Sequence, residues 1–121
     1  MIKLTFCLVR RPEFTREAFQ AYWHDHHAPL VASVREPLRI RRYVQLHSLP
    51  AEASAALRVA RQGPEGFDGV AQLWWDSLQD VLGNSHPDAQ EAGRKLLEDE
   101  RKFIDLERSP LWWGEEKVIF G

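Results

Sequence analysis

Ile2 to Val9 is an almost unbroken apolar run of strand-forming residues closed by Arg10-Arg11-Pro12, which predicts a strand covered on both faces. Phe14-Thr15 then supplies a hydrophobic residue and a capping hydroxyl. Phe19, Trp23, Leu30 and Val34 share one helical stripe, so an amphipathic helix is predicted over 15–35. Pro29 removes one backbone donor inside that helix and leaves the Asp25 carbonyl without its usual partner, so a kink or break is expected near 25–29. Ile40 to His47 alternates, with Ile40, Val44 and Leu46 on a mixed or apolar parity and Arg41, Tyr43, Gln45 and His47 on the other, the period-two pattern of a second strand. Ala51 to Gln62, bracketed by Pro50 and Gly63-Pro64, reads as a short helix or ordered loop inserted over one end of the sheet. Phe67 to Trp75 predicts a third strand. Asp76 or Ser77 caps a short helix ending at Gly83, and Ser85-His86-Pro87-Asp88 opens a longer one. In that second helix Ala89, Ala92, Gly93, Leu96, Leu97, Phe103 and Ile104 recur at helical spacing. A last strand is expected over Glu116 to Phe120, with a start as early as Trp112.

The order strand, helix, strand, strand, helix, strand predicts one α+β domain over 1–121. It is a ferredoxin-like βαββαβ sandwich, a four-stranded antiparallel sheet with helices on one face. The opposite face then needs a partner. Assigning Val44, Leu46, Ala71 and Leu73 to the helices leaves Tyr43, Gln45, His47, Asp68, Val70, Gln72 and Trp74 on the open face, a mixture too apolar for water and too polar for a plain core. A homodimer is expected, two sheets closing into an α/β barrel with a pocket in each protomer.

Composition narrows the functions. The chain has 121 residues, 44% hydrophobic and 28% charged, with five Trp and six Phe, as in an ordinary globular protein. Sixteen basic and 18 acidic side chains leave a formal net charge of -2, which gives no pull toward nucleic acid. Arg39, Arg41 and Arg42 cluster at the second strand, but the Lys/Arg-Gly-Phe motif of RNA-recognition modules is missing. A single cysteine, Cys7, lies in the first apolar run and reads as a buried small side chain of a reduced, cytoplasmic protein. No apolar stretch reaches the roughly 20 residues that span a bilayer, and Met1-Ile2-Lys3-Leu4 does not begin a secretory leader, so neither membrane insertion nor export is expected.

The densest chemistry is Tyr22-Trp23-His24-Asp25-His26-His27, where His27 flanks the apolar stripe and leans toward the sheet. A positioned imidazole gives and takes a proton near pH 7. His24 and His27 stand three apart, yet paired cysteines and the zincin Glu are lacking, so no metal site is assigned. Gly-rich phosphate loops and nucleophile elbows are likewise missing, so no cofactor is assigned and the usual hydrolases are not signalled. The acids of 88–107, interleaved with Arg94, Lys95, Arg101 and Lys102, read as a solvated helix face.

Arg10-Arg11-Pro12, Phe19, Tyr22-Trp23, His27-Ala28-Pro29-Leu30, Tyr43, Asp68-Gly69-Val70, Trp74 and Phe103-Ile104-Asp105 together resemble the EthD family of the dimeric α/β-barrel superfamily. The likeness spans the chain outside 49–66. By this resemblance the fold is a ferredoxin-like dimer, with polyketide cyclases and dehydratases, lactone isomerases and cofactor-free monooxygenases among wider relatives. The imidazole of the His-x-Pro-Leu motif matches His27, and the acid heading the third strand matches Asp68. Gln72 stands where relatives often carry a glutamate. The expected function is cofactor-independent proton transfer, as in a cyclase, dehydratase or isomerase, on an aromatic or polyketide-like carbonyl compound. The alternatives are a quinone-forming monooxygenase, which is an oxidoreductase, and a small-molecule binding protein. In the leading reading His27 is the acid or base and Asp68 supports it. Tyr43 and His47 hold a developing enolate oxygen, Tyr22 and Trp74 stack on the substrate, and Gln45 and Gln72 line its site.

Overall fold

The computed structural model describes residues 1–121. The first apolar run forms β1 (Ile2–Leu8), and the third predicted strand forms β3 (Gly69–Trp75). These are the two inner strands of an antiparallel sheet in the order β2-β3-β1-β4, which explains why both are rich in apolar residues. β2 (Arg42–His47) is one edge, and β4 (Leu111–Gly114) is the other. The result is the expected four-stranded antiparallel α+β sheet.

Register decides which side chains meet. Phe6 lies opposite Ala71 and Leu8 opposite Gly69, while Tyr43, Gln45 and His47 lie opposite Leu73, Ala71 and Gly69. Directly paired residues share a face. Phe6, Leu8 and Ala71 belong to the core beneath the helices, so Tyr43, Gln45 and His47 belong to that face too. Val44 and Leu46 lie opposite Gln72 and Val70 on the open face. The sequence reading of β2 is therefore inverted. Alternation on an edge strand gives the period but not the side, and here the hydrogen-bonding parity is the one that is covered.

The long amphipathic helix is present in pieces: α1 (Arg16–Tyr22), a π-helical turn (Trp23–His27), α2 (Ala28–Ser33) and α3 (Arg35–Leu38). Thr15 Oγ1 caps α1 by accepting from Ala18 N at 3.1 Å. The expected break falls where Pro29 withholds its donor, and the Ala28 amide reaches back to the Trp23 carbonyl, five residues earlier. α4 (Ala51–Ala60) confirms a helix in the alanine-rich insertion and buries no residue. α5 (Gln79–Leu82) and α6 (Pro87–Phe103) follow the Ser77 and His86 caps. No helix is long and apolar enough to cross a membrane.

The last strand lies earlier than Glu116–Phe120. After α6 a 3-10 turn (Leu106–Arg108) brings Ser109 beneath β1, where its hydroxyl accepts from Val9 N at 2.8 Å and donates to the Asp105 carbonyl at 2.7 Å. That anchor delivers Leu111–Gly114 to the edge of β1, and 116–120 forms no strand.

Phe6, Leu8, Phe19, Trp23, Ala71, Phe103 and Ile104 form the main core, and Val31, Ile40 and Trp75 a second cluster. Tyr43 and Leu73 pack against both. Each fully buried large side chain here contributes about 1.5–3 kcal/mol. Gly69 sets the spacing between layers, since a Cβ there would collide with the Trp23 ring.

Candidate active site

His27 ends the π turn with its ring buried, 5% exposed, and 5.2 Å from the Phe103 ring. Its Nδ1 lies 2.7 Å from Asp99 Oδ2 on α6. The other oxygen of that carboxylate accepts from the Tyr22 hydroxyl at 2.6 Å and has Lys102 Nζ at 3.7 Å. Burial alone would raise the Asp99 carboxyl, but Tyr22, His27 and Lys102 together hold it below its ordinary value. An ionised Asp99 fixes the proton of a neutral His27 on Nδ1 and leaves Nε2 as an acceptor. Nε2 has no hydrogen-bond partner, and no polar side-chain atom is both sealed from the surface and unpaired, so Nε2 keeps some contact with solvent. Burial keeps the imidazole pKa below its usual value, an effect that Asp99 opposes.

A second polar group descends from β2. His47 Nε2 lies 2.7 Å from Gln45 Oε1, and Gln45 Nε2 donates to the Tyr43 hydroxyl at 2.7 Å and to the Trp23 carbonyl at 3.0 Å. His47 also stacks on Trp23, with centroids 4.6 Å apart. The Tyr43 hydroxyl accepts from Gln45, so its own hydrogen is available to a neighbouring oxygen. Burial raises the Tyr43 pKa, and a nearby Glu100 raises it further. Burial, reinforced by Asp99, pushes the Glu100 carboxyl up to about 7.

The predicted site residues thus divide. His27, Tyr43, Gln45 and His47 share the layer between the sheet and the helices. Tyr22 supports Asp99 and is stacked on His26 at 5.0 Å, so its expected place on a substrate gives way to one behind His27. Gln72 and Trp74 lie on the open face, where Lys3 and Arg42 sit over the Trp74 ring and Glu116 accepts from its indole N–H. Asp68 does not confront His27. Its Oδ1 takes Arg10 Nη1 at 2.5 Å and its Oδ2 takes the Arg10 amide at 2.8 Å, because the chain leaves β1 beside the start of β3.

The acids that the sequence reading missed are Asp99 and Glu100. The solvated face of α6 is real at Glu91, Arg94 and Glu98, which pair with one another. Asp99, however, is buried with Ala89, Ala92 and Phe103, and Glu100 follows Leu96 by four residues and precedes Phe103 by three. An acid at core spacing was the available signal. His24 is exposed and paired with Asp25, and no three His, Cys, Asp or Glu side chains converge as metal ligands.

Comparison with known proteins agrees with this frame. The chain is 29% identical over 120 residues to a conidial pigment biosynthesis dehydratase EthD of Metarhizium robertsii, covering 94% of this chain and 81% of that one. It is 26% identical over 125 residues to a decarboxylase of Claviceps purpurea, covering 98% and 86%. A crystal structure from Bacteroides fragilis, described as a dimeric protein of unknown function and ferredoxin-like fold, superposes with a TM-score of 0.57 at 14% identity, covering 95% of each chain. The family model of the EthD domain matches residues 11–107. By that match over most of its length, the chain belongs to the EthD domain family.

Proposed function

We propose that this protein is a small-molecule enzyme of the lyase type that moves a proton next to the carbonyl of an aromatic or polyketide-like compound, with His27 as the proton carrier. The observation that carries the reading is a buried imidazole whose Nδ1 is held by Asp99 while Nε2 stays open and unpaired. Such an imidazole is a base at neutral pH, and a burial-lowered pKa keeps it in the working form. The Tyr43 hydroxyl, polarised by Gln45, is the donor for a developing enolate oxygen. The names of the two fungal relatives, a dehydratase and a decarboxylase, support the class; as general chemistry, loss of water beside a carbonyl and loss of carbon dioxide beside one can both pass through an enolate. Dehydration is the favoured reaction, since the dehydratase is the more similar of these two. His47 supports the enolate donor through Gln45.

The functional unit is proposed to be a homodimer, as the Bacteroides fragilis protein is described. The pairing surface is the open sheet face bearing Val44, Leu46, Val70 and Trp112, and the polar side chains Tyr43, Gln45 and His47 lie on the other side of each sheet.

The test is turnover of a β-hydroxy tetralone, an aromatic β-hydroxy ketone whose loss of water gives a fluorescent naphthol. His27→Gln is expected to lower kcat at least about 100-fold with the fold intact by circular dichroism. Retention within about threefold would remove His27 from the chemistry.

A further inference from the structure

Glu100 occupies a position where a helix usually carries a hydrophobic residue. On α6 it continues the line of Ala92 and Leu96 toward Phe103, and Leu96 itself packs beside Tyr43 and Leu73 against the second core cluster. Glu100 thus lies on the covered side of α6, between Leu96 and Phe103, and is only partly exposed. Asp68 and Asp99, the other covered acids of this region, each have two donors. Glu100 has no side-chain donor, and its oxygens are not sealed off. An unpaired carboxyl in an apolar stripe stabilises nothing in the folded protein, and such groups concentrate where chemistry needs them.

We propose that Glu100 is a second catalytic group of this site, the acid that protonates the departing oxygen while His27 removes the proton from carbon. This deepens the lyase reading above and rests on it. Partial burial favours the two roles together: with less water around them each group leans toward its neutral form, and a neutral imidazole is a base whereas a neutral carboxyl is an acid. The sequential position agrees, because Asp99 and Glu100 are neighbours on α6, one holding His27 and the other lying close enough to Tyr43 to raise its pKa.

On a β-hydroxy ketone, His27 Nε2 takes the proton from the carbon beside the carbonyl, and the released electron pair forms an enolate held by the Tyr43 hydroxyl. The enolate collapses to a carbon–carbon double bond. The bond to the β-oxygen breaks with its electron pair, and that oxygen takes the Glu100 proton and leaves as water. An imidazolium and a carboxylate remain, and a proton returns from one to the other through solvent. The formal oxidation of the α-carbon is matched by reduction of the β-carbon, so the elimination is redox-neutral and no oxidant or reductant is required.

The rate then depends on pH from both sides. Protonation of His27 removes the base as pH falls, and ionisation of Glu100 removes the acid as pH rises. The groups that act on Glu100 are Asp99 and Arg101 on its own helix, with Tyr43 from β2 nearby and neutral in the working state; His27 reaches α6 through Asp99. Glu100→Gln keeps the shape and removes the transferable proton. With the β-hydroxy tetralone it is expected to lower kcat about 100-fold and to flatten the alkaline limb, while Glu100→Asp keeps part of the rate and the limb. If Glu100→Gln keeps the rate within about threefold and the limb stays, while His27→Gln is inactive, Glu100 is excluded and the His27 reading stands. If both variants match the wild type, or the wild type does not act on the tetralone, both fall. A wild-type measurement guards against a misfolded variant: carbon-13 NMR of the Glu100 carboxyl is expected to shift when naphthol saturates the protein, and an unmoved resonance overturns the assignment.

Discussion

At the scale of single residues, a carboxyl placed among core side chains imposes a pH dependence whose sign follows from its two states. Glu100 has its folded pKa pushed up to about 7, whereas an unfolded glutamate titrates near about 4.3. A raised carboxyl contributes most below its unfolded value, and that contribution is lost as pH rises through the folded one. Glu100→Gln is therefore predicted to be more stable to unfolding than the wild type near about pH 8, by up to about 4 kcal/mol, with the gain vanishing near about pH 4, as thermal melts at the two pH values would read. A gain independent of pH would mean that the glutamate charge is not what costs the stability. Asp99 acts through His27, so it is a positioning residue with its own signature. Removing its charge withdraws the effect that raises the imidazole pKa, so Asp99→Asn is predicted to lower kcat and to move the acid limb of the rate profile to lower pH. A merely structural role would lower the amount of folded enzyme and leave the limb in place.

At the scale of elements, two clamps separate structure from chemistry. Arg10 ties the exit of β1 to Asp68 and to the Phe14 carbonyl, while Arg11 N donates to the Phe103 carbonyl and Asp105 N to the Val9 carbonyl. The Arg10-Arg11-Pro12 and Phe103-Ile104-Asp105 segments thus meet, although 90 residues separate Arg11 from Arg101 beside them. Asp68→Asn is predicted to cost about 1–3 kcal/mol in denaturant unfolding while the pH profile of turnover keeps its shape. A lost limb would return Asp68 to the chemistry. The different readability of these features has physical causes. Strand and helix periods are local, so β1, β3 and the Pro29 break near Trp23–His27 were legible in hydrophobic spacing. The side that β2 presents depends on its pairing with β3, and no alternation within Arg42–His47 contains it. His27 was legible because three histidines in four positions invite attention, whereas its partner lies 72 residues away on a helix whose other acids are solvated. Glu100 was hidden by composition: among so many charged neighbours, one acid on the core side does not change the count.

At the scale of the molecule, one protomer leaves apolar surface that its own helices cannot cover. Leu46 and Trp112 on the open face are 53% and 51% exposed, and Val118, Ile119 and Phe120 beyond β4 are 79%, 86% and 92% exposed. Exposed apolar patches of this kind mark contact surfaces, and a symmetric pair buries the same patch twice. Light scattering is accordingly predicted to give twice the 14.1 kDa chain mass. Leu46 is the informative position, because its neighbours Gln45 and His47 point the other way into the polar network. Leu46→Lys would bring like charges together across a two-fold interface, near Arg42 of the same strand face, and is predicted to give a monomer. Since His27, Asp99, Glu100 and Tyr43 all come from one chain and lie beyond the sheet from that surface, the monomer is further predicted to bind naphthol within about threefold of the dimer, the same margin used for an intact site. Binding lost together with dimerisation would show that the partner completes the site. A dimer that survives the substitution would move the interface elsewhere, toward the apolar tail at Val118–Phe120.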